Sequence, residues 1–121
     1  MAEGLTAPWL QFTMNLQGKA VDPLVLTGDG MNEEDFFRNN TKNIHTRAAH
    51  LAKMVLLYIF GELEAADSSR QVLEEATGVE GTHFVIYFSV LFSGLTCIGL
   101  ARRYPKKRRR YLAPVRRYII K

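Results

Sequence analysis

Residues 81–101 read GTHFVIYFSVLFSGLTCIGLA, 21 residues between Glu80 and Arg102. The stretch contains no Asp, Glu, Lys or Arg, and its one titratable base, His83, stands at the edge. As a helix rising about 1.5 Å per residue it would extend about 31 Å, close to the thickness of a hydrocarbon core. The reading that follows is a single transmembrane helix, with the rest of the chain organised around it.

Charge divides at the same place. The first 101 residues carry 6 Lys+Arg against all 12 Asp+Glu, a net of −6. From Arg102 onward there are 10 Lys+Arg and no acid, and the two parts add to the formal +4. Basic residues next to a span stay on the cytoplasmic side or its organellar equivalent. The expected orientation puts the C-terminus inside. Within the span, Ser89, Ser93, Thr96 and Cys97 share a small-residue face flanked by Gly94 and Gly99, while Phe84, Phe88, Leu91 and Leu95 fall largely elsewhere. A face of that kind lets a neighbouring helix approach closely. Ser89, Ser93, Gly94, Thr96 and Cys97 are therefore the expected helix-packing residues.

Upstream, residues 9–17 read WLQFTMNLQ. Leu10, Phe12, Met14 and Leu16 alternate with Gln11, Thr13, Asn15 and Gln17. Period two predicts a half-buried strand or extended arm, which Gly18 ends. Leu24-Val25-Leu26 forms a second short apolar run before the turn signal Thr27-Gly28-Asp29-Gly30. Asn32 followed by Glu33, Glu34 and Asp35 predicts a capped helix start rather than a calcium loop, whose ligand spacing is absent. From Ile44 to Ala66, apolar residues at 44, 48, 51, 55, 59 and 63 predict one amphipathic helix whose wide apolar face needs a partner. Ser68-Ser69-Arg70-Gln71 fits a capping box opening a further short helix that stops at Gly78.

Beyond Arg102 the triplet Arg-Arg-Tyr recurs at 102–104, 109–111 and 116–118, and Pro105 and Pro114 are expected to interrupt any continuous helix. Arg102, Arg103, Lys106, Lys107, Arg108, Arg109, Arg110, Arg116 and Arg117 are the candidate contacts to anionic lipid or a partner, with Tyr104, Tyr111 and Tyr118 as interfacial anchors. The same combination suits RNA, where arginine neutralises phosphate and tyrosine stacks on bases.

The fold class expected is mainly α. A short extended arm able to form strands (1–30) precedes a helical region (31–80), a single-pass span (81–101) and a basic tail (102–121). Catalysis has little footing. His45 and His50 are five apart on a helix and face different ways, and no nucleophile elbow, phosphate loop or dinucleotide fingerprint occurs. Lone Cys97 excludes an intramolecular disulfide. No cofactor, metal or small-molecule substrate is expected.

In outline the pattern resembles the single-span accessory subunits of respiratory complexes and ATP synthases, though no motif matches residue by residue. The function expected is a non-catalytic accessory subunit of an energy-converting complex in the mitochondrial inner membrane, C-terminus in the matrix. It would hold neighbouring subunits and anionic phospholipid, cardiolipin among them. A thylakoid membrane is the variant. The alternatives are an RNA-binding organellar ribosomal protein, in which the apolar helix is buried and the tail grips RNA, and a single-pass secretory-pathway adaptor glycosylated at the Asn39-Asn40-Thr41 sequon. Nucleic acid ranks behind lipid so long as a span stands directly upstream.

Overall fold

The computed structural model describes the backbone of residues 2–39, 44–75 and 83–120 and the side chains of 7–39, 46–74 and 88–117. It contains α1 (Ala2–Leu16), α2 (Glu33–Asn39), α3 (Ile44–Ile59), α4 (Leu63–Glu75), α5 (His83–Arg103), a 3-10 turn (Pro105–Lys107) and α6 (Arg108–Ile120), with no strand among the described residues. His45, His83, Tyr118, Gly78 and the second and third residues of the sequon lie outside the described side chains.

The centre of the molecule is α3. Ala49, Leu51, Ala52, Met54, Val55, Leu56 and Leu57 are all buried, so this helix is apolar on nearly every side. Such a helix must be surrounded. Trp9 and Phe12 of α1 and Leu26 and Met31 of the 17–32 loop cover one flank, and Ala66 and Leu73 of α4 and Phe88 and Phe92 of α5 cover another. Burying each of these large side chains contributes about 1.5–3 kcal/mol. Of the wide apolar face expected to need a partner, Leu51, Val55 and Leu63 are buried within the chain, while Ile59 stays 50% exposed.

That arrangement corrects the reading of residues 81–101. Among the described residues no helix is long and apolar enough to cross a membrane. Over residues 88–101, one side of α5 packs against other helices of the same chain, while Leu91 and Ile98 remain exposed. Ser93, Thr96, Cys97, Leu100 and Ala101 are buried on one side of α5, and α3, α4 and α6 all contact it. The charges of Asp67, Arg70, Glu74 and Arg117 lie near enough to act on the Cys97 thiol. A bilayer around α5 would have to admit those four charged groups at hydrocarbon depth, where such groups are costly. The single-pass span, and with it the inner-membrane localisation and matrix-side C-terminus, is not supported.

The N-terminal arm is also corrected. Residues 9–17 belong to a helix and its cap, and the buried positions are Pro8, Gln11 and Asn15, while Leu10 and Leu16 are 56% and 45% exposed. Helical spacing decides, and it places two amides inside. Gln11 Nε2 donates to Asn15 Oδ1 (2.7 Å). Asn15 Nδ2 donates to the carbonyls of Pro23 (3.0 Å) and Val25 (2.7 Å), and Gln11 Oε1 accepts from the Gly30 amide (2.8 Å). The loop's polar backbone therefore finds its partners on α1, as buried backbone must. A Cβ on Gly28 would stand 2.7 Å from the Gln11 amide nitrogen, so the loop lies this close only because the residue is glycine.

Two further boundaries move. The helix expected over 44–66 breaks at Gly61, whose φ is +80°. Glu62 N donates to Leu57 O (2.8 Å) and Gly61 N to Tyr58 O (3.0 Å), the paired bonds of a left-handed glycine cap. Helix α4 then begins at Leu63, not Ser68, and the Ser68 hydroxyl donates back to Glu64 O (3.3 Å) instead of capping. The Asn32 cap is present, its Oδ1 accepting from Asp35 N at 3.0 Å. The basic tail is helical: Pro105 opens the 3-10 turn between α5 and α6, but Pro114 lies buried inside α6 and does not interrupt it.

Candidate anion-binding surface

The basic segment is held to the bundle by carboxylates of α4. At its start, Arg103 Nη1 pairs with Glu64 Oε1 (3.1 Å) and Arg103 Nη2 donates to the Gly61 carbonyl (3.4 Å). The Tyr104 hydroxyl donates to the other oxygen of Glu64. This last bond, more than the Arg103 charge, holds the Glu64 carboxyl below its ordinary range, and it raises the Tyr104 phenol. Further along, Arg117 reaches Glu74 Oε1 (3.4 Å), which also pairs with Arg70 (3.0 Å). Arg70 is itself buried and bonded to Asp67 (2.6 Å). Because Glu64 and Glu74 stand near opposite ends of α4, α6 must fold back alongside the bundle. A buried pair such as Asp67–Arg70 fixes geometry more than it adds stability.

The cations between the two clamps, and Arg102 just before the first, form no ion pair with α4. Arg102, Lys106, Lys107, Arg108, Arg109, Arg110 and Arg116 are exposed and have no acidic partner among the described residues. Two of them lie over tyrosines: Lys107 Nζ is 5.9 Å from the Tyr104 ring centroid and the Arg110 guanidinium 5.9 Å from that of Tyr111. The apolar residues of α6 turn the other way. Pro114 is buried and Leu112 and Val115 are half-buried, leaving Arg109, Arg110, Ala113, Arg116 and Arg117 outward. Cations crowded on one surface sum to a field that attracts polyanions from a distance set by the salt.

Of the residues expected to act together, the nine cations and Tyr104 and Tyr111 share this surface, two of the cations being spent on α4. The small-residue face does not face outward as expected. Ser93 donates to Met54 Sδ (3.7 Å), Thr96 is fully buried with its hydroxyl unpaired, and Cys97 is fully buried. Burial pushes the Cys97 thiol up to about 11, so it is inert. Ser89 is half-buried, and Gly94 looks onto open space. His50 is stacked on Phe37 (4.5 Å between centroids). Burial lowers its pKa against the opposing influence of Glu33.

Sequence reasoning missed the carboxylates that orient the basic segment. Their only signal is that Glu64 and Glu74 lie on one face of α4 at helical spacing. Comparison with protein-family models, with curated proteins and with solved structures finds no match.

Proposed function

We propose that this chain is a non-catalytic nucleic-acid-binding protein that presents α6 and the turn before it to phosphates. The observation that carries the reading is seven exposed cations without acidic partners among the described residues, one at the end of α5, two in the 3-10 turn and four on α6, whose apolar side is turned inward. A helix that enters a lipid surface needs large apolar side chains beside its cations. Here the described outward residue of α6 that is not a cation is Ala113. That favours nucleic acid over lipid. The accessory-subunit reading rested on a membrane span and loses its main support without one.

The test is fluorescence anisotropy of a short labelled oligonucleotide titrated across salt. If all seven free cations meet phosphates, the slope of log K against log salt is about −6 on duplex and about −5 on single strands. Arg109→Glu combined with Arg116→Glu should weaken binding more than about tenfold and flatten the slope by about 2. No binding at low salt, or binding untouched by the double reversal, overturns the reading.

A further inference from the structure

The nucleic-acid reading leaves open which form of nucleic acid fits, and the aromatic side chains bear on that. Among the described aromatics only Phe60 and Tyr104 are exposed, at 43% and 36%. They follow the ends of different helices, Phe60 after α3 and Tyr104 after α5, yet they stand at the same end of the bundle. Phe60 precedes Gly61, whose carbonyl accepts from Arg103, and Tyr104 follows Arg103 and donates to Glu64. The cations Arg102, Lys106 and Lys107 border this end, and Lys107 already lies over the Tyr104 ring. An exposed aromatic has a π-face to offer, and every base has one to match it.

We propose that this end of the bundle is a stacking platform that makes the protein select single-stranded nucleic acid over duplex, a proposal that rests on the reading above. In a duplex the bases are paired and stacked on one another, so only phosphates meet the protein. The Tyr104 ring lies 6.3 Å from that of Tyr111, centroid to centroid, and under Lys107; in a single strand Lys107 can leave that face for a phosphate and yield it to a base, and a neighbouring nucleotide can lie against Phe60. The Glu64 bond fixes the tyrosine by its hydroxyl and so holds the ring in place before ligand arrives. Nothing in the stacking requires a particular base, so the selection is for strandedness and not for sequence.

The experiment compares an oligonucleotide as a single strand and as a duplex of equal length, with 2-aminopurine in the single strand to report stacking. The expected result is at least a roughly tenfold preference for the single strand, with quenching of the 2-aminopurine on binding. Phe60→Ala, which keeps every cation and the Tyr104–Glu64 bond, should lower the preference and the quenching while duplex affinity stays within about twofold of the starting protein. Phe60→Tyr, which keeps the ring, should retain both, and helical content by circular dichroism checks that every variant is folded. Equal affinity for duplex and single strand, or loss of both affinities together in the ring-deleted variant, overturns the platform. Duplex binding with a steep salt slope and no strand preference would sink the platform alone, whereas failure to bind either form sinks the nucleic-acid reading with it.

Discussion

Asn15→Ala should be among the most damaging substitutions in this chain, although position 15 sits in a stretch whose alternation marks it as a solvent-facing residue. Asn15 is 1% exposed and makes three hydrogen bonds, donating to Pro23 O and Val25 O and accepting from Gln11. Alanine removes all three. Val25 O keeps the Thr27 amide (2.8 Å), but the Gln11 side-chain amide and Pro23 O lose their bonds to Asn15. At about 1 kcal/mol for each bond, with a further penalty for the stranded groups, the loss comes to about 3–4 kcal/mol. A domain of this size holds about 10 kcal/mol in all. Urea denaturation followed by far-UV circular dichroism measures the loss, and faster proteolysis within the 17–32 loop locates it. Leu10→Gln on the same helix is the control: Leu10 is 56% exposed, so the change should stay within about 0.5 kcal/mol. A strand with alternating faces demands the reverse ranking. If Leu10→Gln costs more than Asn15→Ala, the helical placement of α1 and the loop latch are both refuted.

Two further outcomes follow from the same packing. Gly94 has nothing near its missing Cβ, whereas a Cβ on Gly99 would lie 2.9 Å from a methyl group of Leu63. Gly94→Ala should therefore stabilise by about 0.5–1 kcal/mol through helix propensity, and Gly99→Val should destabilise by about 1–3 kcal/mol through overpacking, both read by thermal denaturation. His50 is the second case. Burial lowers its folded-state pKa, outweighing Glu33, while Lys53 also lowers it. The unfolded chain therefore binds the proton first, so stability is full above about pH 6.5 and falls as pH drops from there toward the folded-state value. His50→Phe, which preserves the stack on Phe37, should remove that part of the slope; identical pH profiles for the two proteins would exclude His50 as its source.

Several elements were legible in the residues because their causes are local. The Asn32 cap, the stop at Gly18 and the apolar periodicity of α3 each depend on neighbours within one or two turns. The division of charge at Arg102 needed only counting. The errors share a different cause: the deciding partner is remote in the chain. An uncharged helix reads alike whether lipid or protein surrounds it. What distinguishes α5 is α3, and Ser93 meets Met54 across 39 residues. The alternation in α1 is coincidental, and Gln11 is inside because the amides of Gly30 and Met31 need an acceptor there. Candidate cations were readable as composition, but not which of them are spent. Arg103 and Arg117 are removed from the free set only by Glu64 and Glu74. Gly61 was visible as a residue, yet its role as a helix terminator becomes clear only from its left-handed backbone.

The chain holds one cysteine, sealed between α5 and its neighbours with its thiol raised to about 11. That combination makes Cys97 a clock built into the fold. A thiol reagent can act on it only during the moments when the helices part, because the closed protein offers neither access nor thiolate. Under native conditions the labelling rate therefore counts those partings directly, without any introduced reporter. Because Arg117 ties α6 to Glu74 on the same wall that encloses the sulfur, the clock also registers how firmly the basic helix is seated.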